Sequence, residues 1–235
     1  FLRTHNVIWA PSPRQQAMMR RLEFEALFGG SAGGGKSDYL LVEALRQVHI
    51  KHYRAVILRK TFPELEDLIS RSKELYGGAF PHAKYNESKY VWTFPSGAKI
   101  YFSNMQREQD KIKYQGRHFD FVGFDELTHF SWDEYNYLFS RTRSSGPGLR
   151  AYIRATANPG GPGHGWVKAR FITAMKPETP ITEKTPIRDP AGNIIETESD
   201  RIFIPSSLFD NPDLMRNNPH YLASLAMMPE AQRNA

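Results

Sequence analysis

Apolar and polar positions recur in short runs through the first two thirds of the chain, and the period of those runs switches between that of strands and that of helices. Residues 24–28 (FEALF) are an apolar run leading into glycines and read as a short buried strand. Residues 36–50 place Leu40, Leu41, Ala44, Leu45 and Val48 at helical spacing. Residues 55–58 (AVIL) read as a second buried strand and residues 63–76 as a second helix. Residues 89–94 and 99–103 alternate on either side of Pro95, Ser96 and Gly97, which is the pattern of a hairpin. A third buried strand is predicted over 119–124, a helix over 132–139 and another strand over 151–157. Alternating strand and helix signals predict an α/β fold, a mainly parallel central sheet flanked by helices.

Beyond about residue 176 the texture changes. Residues 176–199 are rich in Pro, Thr, Glu and Asp with little periodicity, and they predict a long exposed connection. Residues 201–205 read as a returning strand and residues 219–228 as a closing helix. The expected division is therefore a core over residues 1–175 and an irregular closing segment over 176–235.

Composition adds limits. The chain has 235 residues, 40% hydrophobic and 24% charged, which is the balance of an ordinary globular protein. No apolar run approaches the ~18 residues of a membrane-spanning helix. The N-terminus lacks the apolar core of a signal peptide, and a start at Phe1 suggests a piece of a longer chain. Cysteine is absent, which excludes disulfides and thiolate metal sites and agrees with a cytosolic protein. Lysine and arginine number 31 against 25 acids, a net charge of +6 that fits a polyanionic partner such as nucleic acid.

The chemistry is concentrated between the first predicted strand and helix. Gly30, Ser31, Ala32, Gly33, Gly34, Gly35, Lys36 and Ser37 match the P-loop pattern GxxxxGKS/T without a mismatch. Glycines let successive N–H groups curl around one phosphate, and the following helix directs its positive end at the same anion. Lys36 is placed for the β- and γ-phosphates, and the Ser37 hydroxyl for Mg²⁺. The apolar run ending in Asp125 and Glu126 supplies a carboxylate for the metal and, one residue on, a base for water. A glutamate in that place favours ATP hydrolysis over small-molecule phosphorylation, and no NKxD guanine motif is present. Thr156 and Asn158 close the next predicted strand, within reach of the γ-phosphate or the attacking water.

These residues resemble the large terminase subunit of tailed bacteriophages along nearly the whole chain. Residues 11–18 (PSPRQQAM) are similar to the family's upstream glutamine motif, which contacts adenine, with Gln15 as the candidate and Gln16 as its alternative. Leu58, Arg59, Lys60 and Thr61 resemble the segment after the second strand, whose arginine lies near the phosphates. Residues 125–130 (DELTHF) and 140–143 (SRTR), Thr156 to Pro159, residues 163–171 (GHGWVKARF), Asp210-Asn211-Pro212 and residues 221–225 look like further family segments. The resemblance implies a P-loop NTPase of RecA-like, ASCE type that uses ATP and Mg²⁺. It also implies double-stranded DNA as partner, a homo-oligomeric ring docked on a capsid portal in the cytoplasm of the infected bacterial host, and a small terminase subunit. No membrane partner is expected. An arginine before the acidic strand is implied to reach the neighbouring subunit's nucleotide. Arg117 is its counterpart, with Arg141 and Arg143 in reserve and Arg59 acting within its own subunit.

One departure matters. The family carries a C-terminal metal-dependent nuclease, whereas Asp189, Asp200, Asp210 and Asp213 are scattered in turn-like contexts, so ATP hydrolysis without DNA cleavage is expected. A helicase-like motor and a nucleotide-binding switch without turnover stand beside the packaging motor. The first needs a second motor-like half, and the second does not need Glu126. Basic residues recur at Lys111, Lys113, Arg117, Arg141, Arg143, Arg150, Arg154, Lys168 and Arg170, a set that mixes solvated side chains with any that meet DNA.

Overall fold

The computed structural model describes residues 7–218, together with residues 220 and 227. The elements in chain order are α1 (Pro13–Met19), β1 (Glu25–Gly30), α2 (Lys36–Glu43), β2 (Arg54–Arg59), α3 (Phe62–Ala79), β3 (Lys84–Asn86), β4 (Val91–Thr93) and β5 (Lys99–Asn104). There follow β6 (Phe121–Phe124), α4 (Trp132–Phe139), β7 (Tyr152–Ala157), α5 (His164–Val167), β8 (Ile181–Arg188), β9 (Ile194–Ser206) and α6 (Pro212–Asn217). The strands form one sheet in the order β3-β4-β5-β2-β6-β7-β1-β9-β8. From β5 to β9 every pairing is parallel; β4 and β3 on one side and β8 on the other are antiparallel additions.

The central parallel strands β1, β2, β6 and β7 are buried along most of their length because both faces are covered, and their runs are largely apolar. Ala55 and Ile57 of β2 join Leu40, Leu41, Leu65 and Leu68 on the face packed by α2 and α3. Val56 and Leu58 point the other way, into a second core with Phe124, Phe130, Tyr135 and Leu138. Local signals set the helix starts. Ser131 accepts from Glu134 N, and the Glu134 carboxylate returns to Ser131 N at 2.9 Å, a capping box that begins α4. Glu64 closes on Thr61 N in the same way at the start of α3.

The hairpin expected around Pro95, Ser96 and Gly97 forms, with Val91 opposite Tyr101, and a third strand, β3, adds to it. Two expectations are corrected. The helix predicted over 36–50 ends at Glu43, after which the backbone closes in tighter turns, Leu45 N to Val42 O and Arg46 N to Glu43 O among them. The Tyr53 hydroxyl takes the Ala44 carbonyl at 2.9 Å. Ala44 and Val48 remain buried, so the apolar spacing survived the change of turn. The second correction is residues 176–199, which form most of an ordered hairpin rather than an irregular connection. Strand β8 is exposed nearly throughout and carries Pro186, so it lacks the alternation that marks a half-buried strand; proline is tolerated there because β8 is an edge. Asp189 holds the turn by accepting from Asn193 N and Nδ2. The returning strand expected over 201–205 is part of β9, which lies beside β1 in the parallel sheet. The helix expected over 219–228 lies outside the described residues.

Buried polar groups pin the layers. Arg154, named above among the basic residues, has no exposed surface and donates to the carbonyls of Glu23, Ile153 and Arg21. Glu25, fully buried at the start of β1, accepts from the Tyr135 hydroxyl at 2.5 Å and from Arg170 Nε and Nη2 at 2.9 and 2.6 Å. Removing one partner of a buried pair strands the other charge. Arg170→Ala is therefore expected to lower stability by about 3 kcal/mol, with Glu25→Gln in the same chain restoring part of the loss. Urea midpoints at constant slope measure this, and an unchanged midpoint in Arg170→Ala would show that Tyr135 alone suffices.

Candidate nucleotide site

Strand β1 delivers the chain to Gly30, and the loop that follows turns directly into α2. A Cβ on Gly30 would lie 1.8 Å from the Ser206 carbonyl oxygen, so β9 approaches too closely for any side chain. Gly35 caps α2 with a left-handed backbone at φ 71°, which sets the loop's exit. Lys36 folds back across the loop, with Nζ donating to Ser31 O at 2.6 Å. Its burial pulls the ammonium pKa down, while the charges of Glu126 and Asp125 oppose that shift. Gly34, Gly35, Lys36, Ser37, Glu126, Asn158 and Asn211 are among the residues around a cavity of about 350 Å³ in front of the loop.

Asp125 stands at the end of β6 with no exposed surface. Ser37 Oγ donates to its two oxygens at 3.1 and 3.2 Å, and Thr156 Oγ1 donates to Oδ1 at 2.5 Å. Arg59, at the end of β2, makes an ion pair with Oδ2 at 2.5 Å. The Ser37 hydroxyl and the Asp125 carboxylate are hard oxygen donors set side by side, a pair that suits Mg²⁺.

Glu126 takes the left-handed backbone conformation at φ 59°, uncommon for a residue with a side chain. Its N–H donates to Thr156 Oγ1 at 3.1 Å. Its carboxylate accepts from Asn158 Nδ2 at 2.7 Å and from Asn158 N at 3.2 Å. Burial raises the Glu126 pKa, and the neighbouring Asp125 charge adds to the shift. Thr156 and Asn158 thus grip the acidic pair, contacts that the sequence did not foresee beside the expected role toward phosphate or water. The Asn158 Oδ1 atom is buried and has no partner among the described residues.

The remaining candidates divide. Gln15 is buried, and its Nε2 donates to Gly35 O at 2.8 Å while its Oε1 accepts from Ser12 N at 2.7 Å. Gln16 is exposed. Gln15 also lines a second cavity of about 680 Å³ beside the loop, with Trp9, Asp38, Arg71 and Asn211. Arg117 lies apart from this cluster, exposed, with its guanidinium 4.8 Å from the Tyr101 ring and 5.5 Å from that of Phe119. One element was missed as chemistry. Asn211 Nδ2 donates to Gly33 O at 2.7 Å, and Leu208 N donates to Ser31 Oγ at 2.9 Å. Residues 206–211 therefore brace the loop from a distance of some 175 positions, counting Ser31 to Leu208 as 177 apart. The only signal for this was the likeness of Asp210-Asn211-Pro212 to a family segment.

Residues 27–233 match the family described as terminase large subunit, T4likevirus-type, N-terminal. The chain belongs to the terminase large-subunit family. The large terminase of a thermophilic bacteriophage has the same fold, with a TM-score of 0.67 at 16% identity over 92% of this chain and 50% of its own. A further structure of that terminase, in complex with ADP, gives 0.65 at 16% identity. The ATPase domain of the large terminase of Thermus phage P74-26 gives 0.60 at 16% identity, over 96% of this chain and 93% of its own. The chain thus spans about half the length of the first of these terminases. No curated protein matches it. Sheet order agrees with the RecA-like, ASCE-type expectation: β7 stands between the P-loop strand and the acidic strand. Among the described residues no helix of the terminase chain is long and apolar enough to cross a membrane.

Two outcomes are expected of this geometry. Lys36→Ala should weaken binding of a non-hydrolysable ATP analogue with Mg²⁺, read by calorimetric titration, and unchanged affinity would place the phosphate site elsewhere. Asn158→Ala should leave that affinity intact and slow turnover by about 10-fold or more, because Glu126 loses the group that orients it. A parallel loss of affinity would make Asn158 a binding residue instead.

Proposed function

We propose that the chain is the motor domain of a DNA-packaging terminase, hydrolysing ATP to ADP and phosphate to drive double-stranded viral DNA into a procapsid. The observation that carries this reading is the hold on Glu126. A half-buried carboxylate on a left-handed backbone, oriented by the backbone and side-chain N–H groups of Asn158, faces the P-loop cavity one residue from Asp125. A switch that only binds nucleotide has no use for such a base. Glu126 polarises the attacking water, Lys36 offsets charge on the β- and γ-phosphates, and Ser37 with Asp125 holds Mg²⁺. The metal, when bound, neutralises charge on the phosphate oxygens. Arg59 and Thr156 keep Asp125 in place. Gln15 positions the loop through Gly35 and borders the larger cavity, where the base of ATP would lie.

The ring on a capsid portal in the host cytoplasm, the small terminase subunit as partner and a nuclease elsewhere in the protein complete the proposal. Membership of the terminase family and the likeness to a terminase solved with ADP support it. The test is ATPase activity with and without double-stranded DNA. Glu126→Gln should lower turnover by about 100-fold or more while ATP still binds. A near wild-type rate in that variant would move the base to another residue.

Arg117 is proposed to act in the neighbouring subunit, where an arginine aimed at the transferring phosphate adds several orders of magnitude in related systems. Its position outside its own P-loop cluster suits that role. Arg117→Ala and Glu126→Gln should each be inactive, and mixed rings should regain activity wherever an intact Arg117 meets a neighbour's intact Glu126. No recovery at any ratio, with assembly verified, would exclude action between subunits.

A further inference from the structure

Many cations of the described residues have a carboxylate partner, as Arg46, Lys60, Arg71 and Arg170 do. A group at the N-terminal end of the parallel strands does not. Arg54 opens β2 and Lys99 opens β5, and the two are direct partners in the parallel register. Both are exposed, and no ion pair is formed by either among the described residues. With His52 and Tyr101 they line a cavity of about 150 Å³. Arg143, also exposed, joins the same end of the sheet, its N–H donating to Phe119 O just before β6. The nearest acid, Asp120, offers no relief. It is fully buried and already accepts from Arg54 N, Ser145 N and Ser145 Oγ.

Like charges set opposite each other on neighbouring strands repel. An anion from outside would remove the repulsion. It is not the chain's own nucleotide, because Arg54 and Lys99 stand at the start of β2 and β5, whereas Arg59 ends β2 and Asp125 follows the matching end of β6. We infer that Arg54, Lys99 and Arg143 hold phosphate groups of a nucleic-acid duplex laid across this end of the strands. The inference rests on the DNA-motor reading and names its contact surface. A nucleotide held by a second copy offers the same phosphate chemistry. Cations spread from β5 across β2 to the entry of β6 fit a length of backbone better than one polyphosphate. Contacts to phosphate position a duplex without reading its sequence, as a motor that moves along any genome requires.

The test is fluorescence anisotropy of a labelled mixed-sequence DNA duplex titrated with the 235-residue chain over a range of salt. The Arg54→Ala/Lys99→Ala double variant should bind about 10-fold or more weakly, and its salt slope should fall by about 2, near one for each phosphate no longer neutralised. Thermal midpoint, nucleotide affinity and DNA-free ATPase rate should be unchanged. The Lys73→Ala/Lys184→Ala double removes the same charge from cations that already have carboxylate partners, and it should bind nearly as wild type. Equal weakening by both doubles would attribute binding to net charge and overturn the site. Wild-type chain that fails to bind duplex overturns the motor reading and this inference with it. Wild-type binding matched by Arg54→Ala/Lys99→Ala overturns the inference alone. A fall in DNA-free ATPase with duplex affinity intact would assign these cations to a neighbour's nucleotide, and would equally overturn it.

Discussion

The structure depends on the burial of one charge, the Asp125 carboxylate. A carboxylate removed from water is tolerated only when every lone pair has a partner and a cation stands close. Ser37, Thr156 and Arg59 meet that demand from three separate elements: the start of α2, β7 and the end of β2. Satisfying Asp125 therefore fixes the P-loop helix, the acidic strand and both strands beside it relative to one another. A site assembled this way is held by the sheet rather than by its loops.

Glu126 shows what that fixed frame permits. Its backbone is in a conformation that side chains disfavour, and such strain persists only where surroundings over-determine it. Here the surroundings are Thr156, which takes the Glu126 N–H, and Asn158, which takes the carboxylate. The Asn158 carbonyl is in turn held by the Thr128 hydroxyl at 3.1 Å. Two adjacent acids are thus given different surroundings: one is enclosed by partners, the other is turned toward the cavity with its pKa raised by burial.

The centre of the sheet was legible because each of its strands is covered on both faces, which leaves uninterrupted apolar runs such as AVIL at residues 55–58. The P-loop and the Asp125–Glu126 pair were legible because their chemistry tolerates few residue types. Thr156 and Asn158 were found by position, as candidates for the γ-phosphate or the attacking water, but their bonds to Asp125 and Glu126 were not foreseen; spacing says where a side chain stands, not which of several neighbours it bonds. The β8–β9 hairpin was missed because an exposed edge strand leaves no burial pattern. Asn211 was missed as a loop contact because its partner, Gly33, is brought to it only by the fold.

Strand β1 pairs with β7 on one side and β9 on the other, with Glu25 facing Ile153 and Arg201. Among the described residues, the first strand is therefore completed by the last. Such long-range pairing is slow to form, since loop closure must precede any gain from contact. During synthesis on the ribosome the glycine loop emerges early but lacks its walls until residues 206–211 follow. The loop can therefore reach its final shape only after β9 has joined β1, so order in the loop reports completion of the parallel sheet.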